Sequence, residues 1–238
     1  MSSRDAQNNL VTLGKRTRTA PQESLPATLE GHGPAVFFET YGCQMNVADS
    51  NMLSGLLGGE GYRKATDLAS ADVIIVNTCA VREKAEERVY RRVRELAAHK
   101  KQRKNVVIAV TGCMAEHLKE KILDRAPHVD VIAGPDAYRR VPALIEQARA
   151  GAAEGALIDI KLDKKETYEG VEPGAPSGDS VSTFLTIQRG CDKFCTFCVV
   201  PYTRGAEISR PFTDLIEEAK RLVDSGAREI TLLGQNVN

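Results

Sequence analysis

Cys191, Cys195 and Cys198 fall within eight residues of one another, in the stretch GCDKFCTFCVVPYTRG. A Cys-x3-Cys-x2-Cys loop can wrap three corners of a cubane iron–sulfur cluster, and ordinary four-iron clusters take four thiolates. Three thiolates leave one iron open to another ligand, much as a catalytic zinc keeps one position free. Other readings compete. Zinc needs a fourth ligand, and neither His nor Cys follows Cys198. A thioredoxin-like Cys195-x-x-Cys198 pair leaves Cys191 without a role. Inert structural thiols are rarely crowded into a loop flanked by Gly and Pro.

The other three cysteines are dispersed: Cys43 in TYGC, Cys79 in VNTC and Cys113 in VTGC. Each directly follows a run that reads as a β-strand. Parallel strands all end on one edge of their sheet, and open α/β sheets bind ligands at that edge. The spacing therefore predicts that the three become spatial neighbours. The competing reading is three buried structural cysteines.

Both cysteine sets need elements to hold them. AVFFET (35–40), DVIIVN (72–77), NVVIAVT (105–111) and HVDVIAG (128–134) read as buried strands. Amphipathic helices separate them. The first is capped by Asn46 and carries Val47, Leu53, Leu56 and Leu57; the second aligns Ala85, Val89, Val93 and Leu96; the third contains Leu118, Ile122 and Leu123; the fourth is AYRRVPALIEQARA (137–150). The alternation predicts an α/β fold, a doubly wound parallel sheet domain over residues 34–150. Residues 151–180, rich in Gly, Pro and charge, read as a linker. A second domain over 181–238 opens with strand TFLTIQ (183–188). The cysteine loop follows, then a helix over 213–226 capped by Thr213 and strand REITLLG (228–234). Two strands cannot close a barrel, so the sequence reads as an N-terminal fragment or as a chain whose second domain is incomplete.

Lys+Arg and Asp+Glu both number 32 in 238 residues, so no chain-wide basic field exists to attract nucleic acid. Residues 82–104 are a local exception, with ten Lys/Arg against four Glu; this stretch reads as a solvated helix face or an RNA-phosphate contact. The longest apolar runs, VIIV and VVIAV, are far short of a membrane span. The N-terminus lacks the apolar segment of a secretory signal, although a short Arg/Ser-rich targeting peptide fits its composition. Residues 1–33 read as a disordered tail. A cytoplasmic location with reduced thiols follows. Arg204, close to the cysteine loop, suits a carboxylate or phosphate partner, or a structural ion pair.

On these residues the chain resembles a known family. The cysteine loop, with Phe197 before and Val199 after its third Cys, is similar to the radical S-adenosylmethionine signature. Taken with YGCQMNVADS, NTCAVREKAEERV, TGCM and LLGQNV, it resembles the radical S-adenosylmethionine methylthiotransferase family over residues 34–238. That resemblance implies a doubly wound N-terminal domain followed by the start of a radical-SAM partial (β/α) barrel. It implies two 4Fe–4S clusters. Cys191, Cys195 and Cys198 would bind the catalytic one, whose open iron takes S-adenosyl-L-methionine and cleaves it to an adenosyl radical. Cys43, Cys79 and Cys113 would bind an auxiliary one that carries sulfur.

Cofactor contact is further implied for Phe197, Val199, Arg204 and the loop Gly234, Gln235 and Asn236. That loop is the positional counterpart of the family's GGE motif, whereas the literal GGE at Gly58–Glu60 lies upstream and reads as a helix end. The implied activity is methylthiolation of carbon 2 of N6-isopentenyl (dimethylallyl) adenosine beside the tRNA anticodon. The implied partners are tRNA and a flavodoxin-like or ferredoxin-like electron donor, with no membrane and a monomeric chain. Two alternatives stay open: a relative acting on threonylcarbamoyladenosine in tRNA, and a non-catalytic iron–sulfur or zinc RNA-binding module. Family members continue into the rest of the barrel and a C-terminal RNA-binding β-domain, so this chain reads as an incomplete enzyme.

Overall fold

The computed structural model describes residues 29–80, 83–103, 105–151, 154–163, 166, 168, 170, 171, 173 and 181–237, and the helical residues 83–85 in backbone only. Six strands form a wholly parallel sheet: β1 (Ala35–Thr40), β2 (Arg63–Lys64), β3 (Val73–Thr78), β4 (Val107–Gly112), β5 (Val131–Ala133) and β6 (Leu157–Asp159), in the order β2-β1-β3-β4-β5-β6. Side chains alternate between the faces of each strand. Val36, Phe38, Val73, Ile75, Val107 and Ala109 enter one core with α1 (Gln44–Gly59) and α5 (Val141–Arg149), which contribute Leu53, Leu57 and Ile145. Ile74, Val76, Ile108, Val110 and Ile132 enter a second core on the opposite face. There α2 (Glu83–Gln102), α3 (Cys113–Leu118) and α4 (Lys121–Arg125) supply Val89, Val93, Leu96, Met114 and Ile122. The sheet is doubly wound, as the sequence predicts. The chain steps outward from β1 to β2, then returns past β1 to β3. The strand order thus reverses between β1 and β3, where such sheets leave a crevice at their C-terminal edge.

Several local expectations change. Asn46 is not the cap of α1; Cys43 is, and Asn46 sits in the first turn, accepting the Cys43 N–H at 3.2 Å. The helix expected around Leu118, Ile122 and Leu123 divides into α3 and α4, because Lys119 adopts φ +56° between them. The helix expected over 137–150 becomes a 3-10 turn (Pro135–Arg140) followed by α5, with Pro142 in the first helical turn, where a missing N–H costs little. The expected linker supplies β6, which pairs along β5, and it places Tyr168 and Val171 in the first core. Tyr168 stacks on Tyr138 with ring centroids 6.1 Å apart. The expected tail falls mainly on residues 1–28, outside the described residues, whereas Leu29 is buried in the first core.

The second domain begins with β7 (Ser182–Thr186), which pairs in parallel with β10 (Glu229–Leu233). Between them α7 (Phe212–Asp224) lays Leu222, Ala219 and Leu215 against Leu185, Ala227 and Ile230. Its cap is Pro211, and Thr213 lies inside the first turn, with its hydroxyl on the Asp214 carboxylate at 3.1 Å. A short antiparallel pair, β8 (Gln188–Arg189) and β9 (Ile208–Ser209), clamps the base of the cysteine loop. The two domains meet where Met45 and Ala48 of α1 pack with Phe184 and Leu233. Among the described residues no helix is long and apolar enough to cross a membrane.

Candidate functional site

Cys43, Cys79 and Cys113 follow β1, β3 and β4, three neighbouring strands, at their common C-terminal edge. Two glycines let these loops approach. Gly42 has φ +138°, and a Cβ there would stand 2.7 Å from the Cys79 Cβ. Gly112 has φ +93°, and a Cβ there would stand 2.4 Å from the Thr78 carbonyl oxygen. Beneath the cysteines runs a buried polar network. The Asn46 amide donates to the Thr78 carbonyl at 3.1 Å, the Asn77 amide donates to the Asn46 carbonyl and to Ser50 Oγ, each at 2.9 Å, and the Thr78 hydroxyl donates to the Thr111 carbonyl at 2.6 Å. Satisfied networks of this kind hold backbone in one arrangement. Asn77 is its hidden member. Its one signal in the sequence is a polar residue closing the apolar run VIIV.

In the clustered set Cys191 is buried, Cys198 half-buried and Cys195 exposed. The loop is tied by Cys191 N–H to the Gly205 carbonyl at 3.1 Å and Cys198 N–H to the Cys195 carbonyl at 2.9 Å. Val199 caps α6 (Val200–Thr203), and Phe197 stands 94% exposed beside it. The Gly234–Asn236 loop folds back toward the same place: the Asn236 N–H donates to Gln188 Oε1 at 3.1 Å, three residues before Cys191. The Gln235 Oε1 is buried there without a hydrogen-bond partner.

The two sets are joined through Arg204. α3, which begins at Cys113, packs against α6, which follows Cys198. Burial pushes the Cys113 thiol up, against the opposing pull of the Arg204 guanidinium beside it. That guanidinium is not free for a cofactor carboxylate. It grips Asp49 of α1, with Nη2–Oδ2 at 2.5 Å and Nη1–Oδ1 at 3.3 Å, and is itself buried. Of the two partners the sequence offers Arg204, the structure realises the structural ion pair.

None of the six cysteines is in a disulfide. Among the described residues no three Cys, His, Asp or Glu side chains gather as a site for a single metal ion. An all-thiolate donor set on short loops, cradled by glycines, fits an iron–sulfur cluster, whose several irons spread the ligands more widely than one ion does. The basic helix α2 is less available to RNA than its composition suggests. Arg92 is held by Glu39 and Glu95, Lys100 by Asp130, and Arg103 by Asp72. Arg88, Arg91 and Lys101 are exposed, while Arg82 and Lys104 lie outside the described residues.

Comparison with known proteins defines the class first. Residues 185–238 match the Radical SAM superfamily, and residues 35–134 match the Uncharacterized protein family UPF0004. A solved radical S-adenosylmethionine methyltransferase, TsrM from Kitasatospora setae, aligns with a TM-score of 0.57 and 12% identity over 85% of this chain and 48% of that one, a likeness of fold. The similarity in sequence is more particular. The chain is 49% identical over 203 residues to the tRNA-2-methylthio-N(6)-dimethylallyladenosine synthase of Chloroherpeton thalassium, covering 85% of this chain and 44% of the relative. It is 50% identical over 211 residues to the enzyme of the same name from Sphingopyxis alaskensis, covering 88% of this chain and 46% of the relative. The chain therefore spans a little under half the length of these relatives.

Proposed function

We propose that the protein methylthiolates carbon 2 of N6-dimethylallyl adenosine beside the tRNA anticodon by radical S-adenosylmethionine chemistry. One observation carries this reading: the loop bearing Cys191, Cys195 and Cys198 abuts, through Arg204, the sheet edge bearing Cys113. Radical generation and sulfur supply must act on the same carbon, so their thiolate sets need a shared edge. Similarity to synthases of that name supplies the substrate.

Cys191, Cys195 and Cys198 would hold one 4Fe–4S cluster, and Cys43, Cys79 and Cys113 the other. When bound, the clusters and S-adenosyl-L-methionine supply one-electron cleavage to a carbon radical and a source of sulfur, the chemistry an unactivated aromatic C–H requires. The chain's own residues orient and shield. The β8–β9 clamp fixes both ends of the loop. The Asn46–Asn77–Thr78 network fixes the backbone under the dispersed cysteines. Met45, Ala48, Phe184 and Leu233 close the seam between the domains with apolar surface. Phe197, Val199 and the Gly234–Asn236 loop would face the cofactor. A flavodoxin-like or ferredoxin-like partner would deliver electrons.

Anaerobic reconstitution should load about eight irons if both cubanes form. In the full-length enzyme, Cys195→Ala should abolish 5′-deoxyadenosine formation. Cys79→Ala should retain that cleavage but yield no methylthiolated nucleoside on mass spectrometry of hypomodified tRNA. The reverse pattern would exchange the roles of the two cysteine sets, and a single zinc without iron would end the reading.

A further inference from the structure

The cysteine loop is fastened at both ends to the other domain. Arg189 stands two residues before Cys191, and Arg204 six residues after Cys198. Arg189 meets Asp136 at 2.8 Å and Arg204 meets Asp49 at 2.5 Å, and none of the four side chains is more than 7% exposed. Both aspartates belong to the first domain: Asp49 to α1, the helix that Cys43 caps, and Asp136 to the 3-10 turn after β5. Each pair is braced by further hydrogen bonds. The Tyr138 hydroxyl donates to Asp49 Oδ2 at 3.2 Å, the Asp163 N–H donates to Asp136 Oδ2 at 2.6 Å, and Arg189 Nη2 donates to the Asp163 carbonyl at 3.2 Å. Between these two points the loop has little cover. Cys195 and Phe197 are exposed, and Phe194 adopts φ +45° with its ring 62% exposed.

Burying a charge is costly, and a buried ion pair is often no more stable than well-packed apolar residues. The two-pronged grip of Arg204 on Asp49 adds something apolar contact lacks, namely a fixed distance and orientation, while Arg189, with one close contact to Asp136, is oriented by its bond to the Asp163 carbonyl. We infer that Asp49 and Asp136 are positioning residues: through Arg204 and Arg189 they set where the clustered cysteines stand relative to Cys43, Cys79 and Cys113. The spacing of the two thiolate sets then depends on the first domain rather than on the loop's own fold. The inference rests on the reading above only in treating the six cysteines as cluster ligands.

Hydrogen exchange read by mass spectrometry on the full 238-residue chain, with and without reconstituted iron, tests this without RNA or S-adenosyl-L-methionine. Asp49→Asn and Asp136→Asn should each speed exchange of the amides of residues 190–205 by about tenfold in the iron-free chain, while β3 and β4 keep their rates. In iron-loaded samples they should alter the magnetic coupling between the reduced clusters. The paired variant D49N/R204M removes the stranded charge and should recover thermal stability, yet the loop should still exchange fast. Loop exchange within twofold of the parent in both single variants would overturn the inference, as would restoration of the parent rate by D49N/R204M. Failure of the enzymatic reading would show as missing methylthiolated nucleoside and would leave the exchange result standing.

Discussion

β3 and β4 are buried at every residue, whereas β7 buries two of its five residues and β10 one. Both are parallel pairings, and parallel strands depend on cover over both faces. The first domain has that cover from its own helices, in two separate cores. The second has one small core under α7, which buries only Glu218 and Leu222, and Phe212 at the start of that helix is 76% exposed. The difference shows where each half takes its order from. The first domain is held by its own packing. Within this chain the second leans on the first, through Met45 and Ala48 and through two buried arginine–aspartate pairs.

Truncation of matched leucines probes that contrast most strongly. Leu57→Ala, in the first core, should cost about 2–5 kcal/mol in urea unfolding, the usual range for a buried leucine whose site cannot collapse. A Leu57→Ala loss no larger than that of Leu222→Ala would break the comparison.

The next effect is electrostatic and belongs to the well-covered domain. Glu116 on α3 is buried and its Oε2 has no hydrogen-bond partner. Burial pushes its carboxyl up to about 7, against Lys119 and with help from Asp136 and Asp159. The folded chain therefore keeps this proton to higher pH than the unfolded chain, which releases it at about 4.3. Its contribution is fully present below that value and is lost as pH rises through about 7. Glu116→Gln should thus be more stable than the parent at pH 8, by up to about 3 kcal/mol, with the gap closing below pH ~4. A constant difference between the two melting curves across that range would show that Glu116 is solvated.

Leu222→Ala, in the thin core of the second domain, should cost about 1–2 kcal/mol, since its partly covered surroundings lose less on truncation. Smallest of all, Phe212→Ser should shift stability by no more than about 0.5 kcal/mol in this chain, because its ring has almost no packing to lose. A larger loss would reveal a contact on the open face of α7.

Much of this was legible in the sequence. The apolar runs of β1, β3, β4 and β5, the doubly wound class and the placing of Cys43, Cys79 and Cys113 at strand ends follow from patterns a few residues long, because burial on both faces writes itself into each strand separately. The Cys191–Cys198 spacing is likewise complete within one loop. What escaped depends on segments far apart. β6 is three residues long, and only the open edge of β5 makes a strand of it. Asn46 reads as a cap, yet its work is to bond Cys43 and Thr78 across two strand ends. Arg204 and Asp49 are 155 residues apart. Neither residue carries a local pattern that names the other, because an ion pair between domains exists only once both cores have formed and set their faces together. By itself, then, the sequence determined which three cysteines share one loop and which three stand at strand ends. Tertiary packing alone decided that the helix after the cysteine loop lies against the helix that Cys113 begins, and which charges hold it there, since burial of a charge is tolerable only where the fold has already delivered its partner.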